Sequence, residues 1–383
     1  MLLFWLFASI SILLALASLR GDRRRADYTA EALAREPATL PPATVIVPVK
    51  GHDHALADNL EALASLHYPD FELLVVARSE SDVPAGVIPA RARVVFAGHG
   101  DPNTGEKINN LLAAIAAARP ESQIFAFADS DGRVQPGWLR ALAAALEQDK
   151  AGAATAYRWH LPQPPSFWSL LRSVWNSVIA GNFGPGDNPF AWGGAMAIRR
   201  GTFHSARIAE YWQGAVSDDF RLSQAIHDAG LRIIYAPGAL VVSSDQTSAA
   251  EFLSWIKRQM IITRVYHPRL WWMAILGHIV YCGAMALSVW VAATGSTLIG
   301  EYTLVTLLGL GMLKGTNRAS IAKSALPTYK TWFDRHGWVF TWWVPLGTWV
   351  WLYGLLASCF TNTIEWRGNR YRISSGKTRK LYT

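Results

Sequence analysis

Two carboxylates stand two residues apart in Phe127-Ala128-Asp129-Ser130-Asp131-Gly132, directly after the apolar run Ile124–Ala128. At a strand end, Asp129 and Asp131 can share one hard cation through oxygen ligands. Mg2+ or Mn2+ would suit that site and would in turn hold a diphosphate. The same string also suits a turn into a helix starting near Pro136. A second acidic pair, Asp218-Asp219, follows Ser217 and opens a helical pattern running to Ala229. Repulsion within that pair can raise one pKa toward the range of a general base. Helix capping by Ser217, with the acids complementing the helix dipole, accounts for the same spacing.

Other polar groups recur at comparable places. Glu80 and Asp82 follow the second apolar run, and Lys107 lies in Gly105-Glu106-Lys107-Ile108-Asn109-Asn110-Leu111. Trp192-Gly193-Gly194 lets a backbone come close to a second reactant, or forms a plain turn. Arg258, Gln259 and Arg264 stand just before a long apolar stretch. Lys107 and these arginines could add positive charge to an anion site or could be solvated. His52, Asp53 and His54 read as capping or solvated residues, since a histidine metal pair has no third ligand in view.

The elements that must position these groups alternate. Short apolar runs at 44–49, 73–77, 94–97 and 124–128 read as strands. Between them, 55–66 and 108–118 read as helices, the second with Leu111, Leu112 and Ile115 on one face. Such alternation predicts a mostly parallel sheet covered by helices, with function at the carboxyl ends of the strands.

Of 383 residues, 51% are apolar and only 17% are charged. A soluble domain carries about 25% charge, so part of the chain is expected to face lipid, and intrinsic disorder is excluded. Cys282 and Cys359 both lie in apolar runs, which leaves neither a disulfide scaffold nor a cysteine metal site. The net charge of +8 gathers beside apolar segments: Arg20, Arg23, Arg24 and Arg25, then 314–335, then 367–380. That is the positive-inside pattern, and no nucleic-acid motif accompanies the charge.

Residues 2–19 form an apolar or small-residue run long enough to span a bilayer. Ala15-Leu16-Ala17 offers a rival reading as a signal-peptidase site. No positive charge precedes the run and four arginines follow it, which retains it as an anchor with its N-terminus outside. Residues 271–295 and 297–313 read as a transmembrane hairpin, and 338–360 as a third run broken by Pro345 and Gly347. Three crossings would put the basic tail outside, against its charge, so either the Pro345 segment is re-entrant, the favoured reading, or the charge rule fails at the tail. Trp271, Trp272, Trp338, Trp342 and Trp343 read as interfacial anchors. His278 reads as packed between helices, and 167–179 as a helix at the membrane surface or in a core. The expected domains are an anchor at 1–20, a basic linker at 21–43, an α/β domain at 44–268, a membrane region at 269–360 and a basic tail at 361–383.

The ordered set from Thr44 to Arg264 resembles the membrane-bound family 2 glycosyltransferases, and especially their ceramide glucosyltransferase branch. The resemblance implies a GT-A type mostly parallel sheet with helices on both faces, plus N- and C-terminal transmembrane helices. It also implies an inverting transferase that uses Mn2+ or Mg2+ and a UDP-sugar donor. Asp82 sits where the branch places its first essential aspartate, with Glu80 close enough to compete. Lys107-Ile108-Asn109-Asn110-Leu111 repeats the branch's lysine-asparagine stretch. Asp129-Ser130 matches its second aspartate motif, continued by Arg133-Val134, and Asp219, preceded by Asp218, falls where its third aspartate acts. Two departures stand out. Asp131 replaces a glycine of the branch, which makes the site more like the DxD of the broader family. The (Q/R)xxRW motif is replaced by Arg258-Gln259-Met260-Ile261-Ile262-Thr263-Arg264-Val265, with Ile261 and Ile262 for Arg and Trp.

Together these readings predict donor binding by Asp82, Glu80, Lys107, Asp129, Arg258, Gln259 and Arg264, and metal binding by Asp129 and Asp131. Asp219, with Asp218, is the expected catalytic base, and Trp192, Gly193 and Gly194 the acceptor site. The expected reaction moves one hexose, glucose by resemblance, to a lipid hydroxyl at the cytoplasmic face of a bacterial inner membrane. The rivals are a processive polysaccharide synthase and a non-catalytic, membrane-anchored nucleotide-sugar binder. No nucleic-acid partner is expected.

Overall fold

The computed structural model describes residues 1–295, 297–374 and 377–381. Ser296, in the expected hairpin connection, and Ser375, Gly376, Tyr382 and Thr383, in the basic tail, lie outside the described residues. The chain forms two compact units, each assembled from separate segments. One unit comprises Tyr28–His160, Asn182–Asp245 and Asn362–Thr383; the other comprises Met1–Asp27, Leu161–Gly181 and Gln246–Thr361. The consecutive domains expected from the sequence are therefore interleaved.

In the first unit, near-continuous apolar runs make inner strands buried on both faces, as a parallel sheet requires, with β3 a partly exposed edge strand. These are β1 (Ala43–Pro48), β2 (Phe71–Ala77), β3 (Ala92–Phe96) and β4 (Ile124–Ala128). With β5 (Ala151–Thr155), β7 (Ala195–Arg199) and β8 (Arg232–Tyr235) they form a seven-stranded sheet of order β3-β2-β1-β4-β7-β5-β8. Only β7 runs against its neighbours β4 and β5. The expected mostly parallel sheet with helices on both faces is present. On one face, α2 (Leu56–Ala64) and α4 (Trp138–Leu146) bury Leu60, Leu63, Trp138 and Leu142 against Val45, Val47, Leu73 and Val75. On the other, α3 (Glu106–Ala117) packs against β1 and β2. Its buried residues include Ile108, Leu111, Ala114 and Ile115, whereas Leu112, expected on that face, is half-buried. Phe125 and Phe127 meet Phe203 of α6 (Arg200–Ser205) and Trp212 of α7 (Ile208–Trp212) edge to face.

Strand order rises outward from β1 through β2 to β3, then resumes with β4 on the other side of β1. That reversal opens a crevice beyond the carboxyl ends of β1 and β4, where ligands bind in such sheets. Around the sheet lie the parallel ribbon of β6 (Arg158–His160) and β9 (Val241–Ser243), and α8 (Asp218–Asp228). The tail is not a loose basic extension. It forms an antiparallel sheet of β10 (Thr363–Trp366), β11 (Asn369–Ser374) and β12 (Lys377–Leu381) within this unit.

Helix α1 (Leu2–Ala34) runs well past residue 20, so the expected linker is helical in its first part. Ala, Arg, Glu and Leu favour that continuation. In the second unit, α10 (Pro268–Thr294) and α11 (Thr297–Ala325) follow one another closely. The second runs past the apolar stretch expected at 297–313 and carries Lys314, Arg318 and Lys323 of the basic stretch that follows it. Among the described residues, α1, α10 and α11 are long and apolar enough to cross a membrane. Helices α5 (Phe167–Ala180), α9 (Ala249–Tyr266), α10 and α14 (Val344–Ala357) share a core with Trp175, Trp271, Trp351 and Leu355. The Trp175 and Trp351 rings stack with centroids 4.3 Å apart, and Trp351 Nε1 donates to Trp175 O at 3.0 Å. Trp271 is thus a core residue, not an interfacial anchor, and its Nε1 donates to Ser358 Oγ at 3.0 Å. Trp272, Trp338 and Trp342 are exposed, and His278 stacks on Trp351. Short helices α12 (Lys330–His336) and α13 (Val339–Trp342) precede α14, whose first turn holds Pro345.

Leu60 is fully buried between α2 and the sheet. Leu60→Ala should cost about 2–5 kcal/mol and lower the thermal midpoint of the detergent-solubilised protein. Leu112→Ala should lower it less, because its half-exposed side chain removes less area from water.

Candidate active site

Strand β4 ends at Ala128 and delivers Asp129, Ser130 and Asp131 into the crevice. From β6, Arg158 reaches both carboxylates. Its Nη1 donates to Asp131 Oδ2 at 2.9 Å, and its Nη2 to Asp131 Oδ1 at 2.8 Å and Asp129 Oδ2 at 3.2 Å. The guanidinium lies 4.8 Å from the ring centroid of Trp192, an additional cation–π contact. Burial alone would raise the Asp131 carboxyl, but the Arg158 charge overrides it and holds this group below the usual carboxylate range. On the other side, Lys107 from the first turn of α3 donates to Asp129 Oδ1 at 2.9 Å. The same ammonium is 3.1 Å from Asp218 Oδ2. The crevice therefore holds an alternating row of charges, Asp218–Lys107–Asp129–Arg158–Asp131, drawn from α8, α3, β4 and β6.

Gly193 and Gly194 make this row possible. A Cβ at position 193 would lie 2.6 Å from Asp218 Oδ2 and 2.9 Å from Lys107 Nζ. At position 194 it would lie 2.2 Å from the Trp192 ring and 2.7 Å from Asp129 Oδ2. The close approach that these glycines permit is to the charged row itself.

At the start of α8, capping and carboxylate placement are one arrangement. Ser217 Oγ donates to Asp219 Oδ1, which also accepts the Phe220 N–H at 2.8 Å. Asp219 Oδ2 faces the Gly193 N–H at 3.4 Å. Asp219 is half-buried, whereas Asp218 is only 2% exposed. Burial pushes the Asp218 carboxyl up to about 6; Lys107 pulls it back down, while Asp219 and Asp129 add to the rise. Repulsion within the pair was the expected cause, yet burial is the larger one.

The remaining expected residues are placed differently. Asp82 closes a capping box, its Oδ2 accepting from Ser79 N at 3.2 Å and Ser79 Oγ at 2.9 Å, and Glu80 is exposed. Arg258, Gln259 and Arg264 lie on α9 in the other unit, where Arg264 Nη2 donates to Thr361 O at 2.8 Å. Two residues of the site were not anticipated. Arg158 stands in Arg158-Trp159-His160, just after β5; a charged and aromatic run beyond a strand's carboxyl end was the available signal. Asp53, taken as a cap or solvated residue, accepts from Ser130 Oγ at 2.5 Å.

The donor set fits a hard divalent cation. Asp129 and Asp131 converge on one positive centre, now the Arg158 guanidinium, and both present carboxylate oxygens. Among the described residues, no three His, Cys, Asp or Glu gather as a metal cluster. Mg2+ or Mn2+ held by two carboxylates would complete its shell with water and phosphate oxygens.

Since the folded state holds the Asp218 proton more tightly than the unfolded chain, its stabilising contribution is complete below about 4 and is lost as pH rises through about 6. The difference in thermal midpoint between wild type and Asp218→Asn should therefore change across that window and level off on either side.

The sequence matches glycosyl transferase family 21 over residues 3–379. It is similar to ceramide glucosyltransferase 1 of Caenorhabditis elegans, 21% identical over 353 residues that cover 88% of this chain and 73% of that protein. Among solved structures it is similar to a mannosyltransferase from Pyrobaculum calidifontis in complex with GDP-Man and Mn2+. That similarity has a TM-score of 0.44 and 16% identity, over 92% of this chain and 97% of the other. A mycobacterial protein matches with a TM-score of 0.39 and 16% identity, over 62% of this chain and 77% of the other. With the family match running almost end to end around the charged crevice, the chain belongs to glycosyl transferase family 21.

Proposed function

We propose that this protein is an inverting, metal-dependent hexosyltransferase that moves one glucose from UDP-glucose to a lipid hydroxyl at the cytoplasmic membrane face. The observation that carries the reading is the convergence of Lys107, Asp129, Asp131, Asp218 and Asp219 at the β1/β4 crevice. The similarity to a ceramide glucosyltransferase supports the choice of sugar and of lipid acceptor.

Breaking the bond from the anomeric carbon to the donor diphosphate builds negative charge on the leaving group. Asp129 and Asp131 would hold a divalent cation there, which would supply Lewis-acid neutralisation of that charge. Lys107, fixed between Asp129 and Asp218, adds a preorganised positive charge beside it. The lipid hydroxyl is a weak nucleophile and needs a base within about 3 Å. Asp219 takes that role, being the less buried member of its pair, while Asp218 positions Lys107. The hydroxyl proton passes to Asp219 as the new C–O bond forms and the diphosphate departs, and this single displacement inverts the anomeric centre.

Topology follows from parity in this reading. The tail strands and the catalytic sheet belong to one unit, and Thr378 N–H donates to Gly214 O at 2.7 Å. Sheet and tail then share one side of the bilayer, and the chain between them crosses an even number of times. Helices α10 and α11 account for two crossings. The 14 residues of α14 span about 21 Å, short of the roughly 30 Å hydrocarbon core. The Pro345 segment is accordingly re-entrant, and the arginines at 20–25 of α1 and the basic tail share the cytoplasmic side.

The test is UDP release by purified, detergent-solubilised protein given UDP-glucose and Mn2+, with and without a total lipid extract. Release should need lipid, vanish with chelator and vanish in Asp129→Ala/Asp131→Ala. Asp219→Asn should lower turnover by about 10²–10⁴-fold while UDP still binds. Unchanged turnover would remove Asp219 from the base role. A polymeric product would favour the processive synthase, and donor binding with no release from any donor would favour the non-catalytic binder.

A further inference from the structure

The end of the chain reaches the same crevice. Between β10 and β11 the turn Trp366-Arg367-Gly368-Asn369 has positive φ at both central residues, 49° at Arg367 and 76° at Gly368. That is the backbone a two-residue hairpin loop needs. Asn or Gly would suit the first of these positions better than Arg, so the side chain, not the backbone, makes arginine useful there.

Arg367 Nη1 donates to Asp53 Oδ1 at 2.5 Å and to Lys50 O at 3.4 Å, both in the segment after β1. Asp53 in turn accepts from Ser130, the residue between Asp129 and Asp131. Two further contacts seat the hairpin. Asn369 Nδ2 donates to Glu106 Oε2 at 2.9 Å, and Tyr371 Oη accepts the Glu106 N–H at 3.3 Å, one residue before Lys107. Thr378 binds Gly214, three residues before the Ser217 cap. The tail sheet is thus fastened to the segments that carry Asp53, Lys107 and the Asp218-Asp219 pair.

Charge and exposure set Arg367 apart. The side chains of Lys107 and Arg158 are 15% and 12% exposed and lie between carboxylates. Arg367 is 38% exposed, its two described contacts both use Nη1, and Asp129 and Asp131 both act on its charge. An incoming diphosphate meets a crevice lined by Asp53, Asp129, Asp131, Asp218 and Asp219, and needs an accessible cation there. A guanidinium has the planar, multi-donor geometry that phosphate oxygens favour.

We propose that Arg367, presented by the C-terminal hairpin beside the Asp129/Asp131 pair, is a binding residue for the diphosphate of the nucleotide-sugar donor. The inference rests on the donor reading above. The hairpin then completes the catalytic site from the far end of the chain.

The test compares full-length wild type, Arg367→Ala and Arg367→Lys for equilibrium binding of UDP with uridine, and of GDP with guanosine, in Mn2+. For the diphosphate that wild type binds, Arg367→Ala should weaken affinity about tenfold or more and leave the matching nucleoside unchanged. Arg367→Lys should restore part of the loss. Diphosphate affinity equal to wild type in Arg367→Ala would overturn the inference while leaving the transferase reading intact. Equal losses for nucleoside and diphosphate would also overturn it, since they indicate that Arg367 merely props up Asp53. A wild type that binds neither diphosphate would overturn the donor reading and this inference with it.

Discussion

Asp129 sits with one oxygen on Lys107 and the other on Arg158, and the rest of the crevice is arranged around that double ion pair. A buried cation without a partner carries a desolvation cost that a small domain cannot bear, so each must be matched by a carboxylate in good geometry. Lys107 and Arg158 come from α3 and β6, far apart in sequence from the end of β4. Holding them fixes how those elements meet. Asp218 and Asp131 close the two ends of the row, and Gly193 and Gly194 leave room for it. Polar networks of this kind are rigid only when every member is satisfied. A preorganised row of fixed charges is also what electrostatic catalysis of diphosphate departure requires.

The sheet topology puts that row where it can act. Because β4 returns beside β1 and not beyond β3, the loops after β1 and β4 diverge and leave a crevice between them. Asp53 and Ser130 bridge its floor. The tail strands add a second layer of constraint from the other end of the chain, more than three hundred residues from Asp53. The unit that holds the charged row is therefore completed by a segment that follows the membrane-length helices α1, α10 and α11. In the second unit, the stacked pair Trp175 and Trp351 gathers α5 and α14, and the four helices α5, α9, α10 and α14 pack as one core of aromatic and aliphatic residues.

Much of this is legible in the amino-acid sequence. The four parallel strands and α2 and α3 follow from local apolar periodicity, which depends on neighbouring residues alone. The acidic pairs Asp129/Asp131 and Asp218/Asp219, with Lys107 and the two glycines, stand at element boundaries, where turn and capping duties account for the same residue types, and their order along the chain singled them out. Leu112 was misplaced by one helical position, since a run of Leu and Ala gives the helix face little contrast. Trp271 was read as an interfacial anchor because tryptophan beside an apolar run has that meaning on average. Here a neighbouring serine and a helical cluster bury it.

What the sequence determined by itself was composition, periodicity and the ends of elements: an α/β sheet, membrane-length helices, and carboxylates where strands stop and helices start. What only the tertiary structure decided was partnership. Arg158 and Arg367 look like ordinary basic residues until folding brings one to Asp131 and the other to Asp53. Asp82, expected at the donor, has its carboxylate in the capping box of its own turn. Which member of the Asp218-Asp219 pair is buried depends on the packing of α8 against Lys107 and Gly193, not on their order in the chain. Local propensity is written in adjacent residues, but desolvation and ion pairing act through space, and so they emerge only when the whole chain has folded.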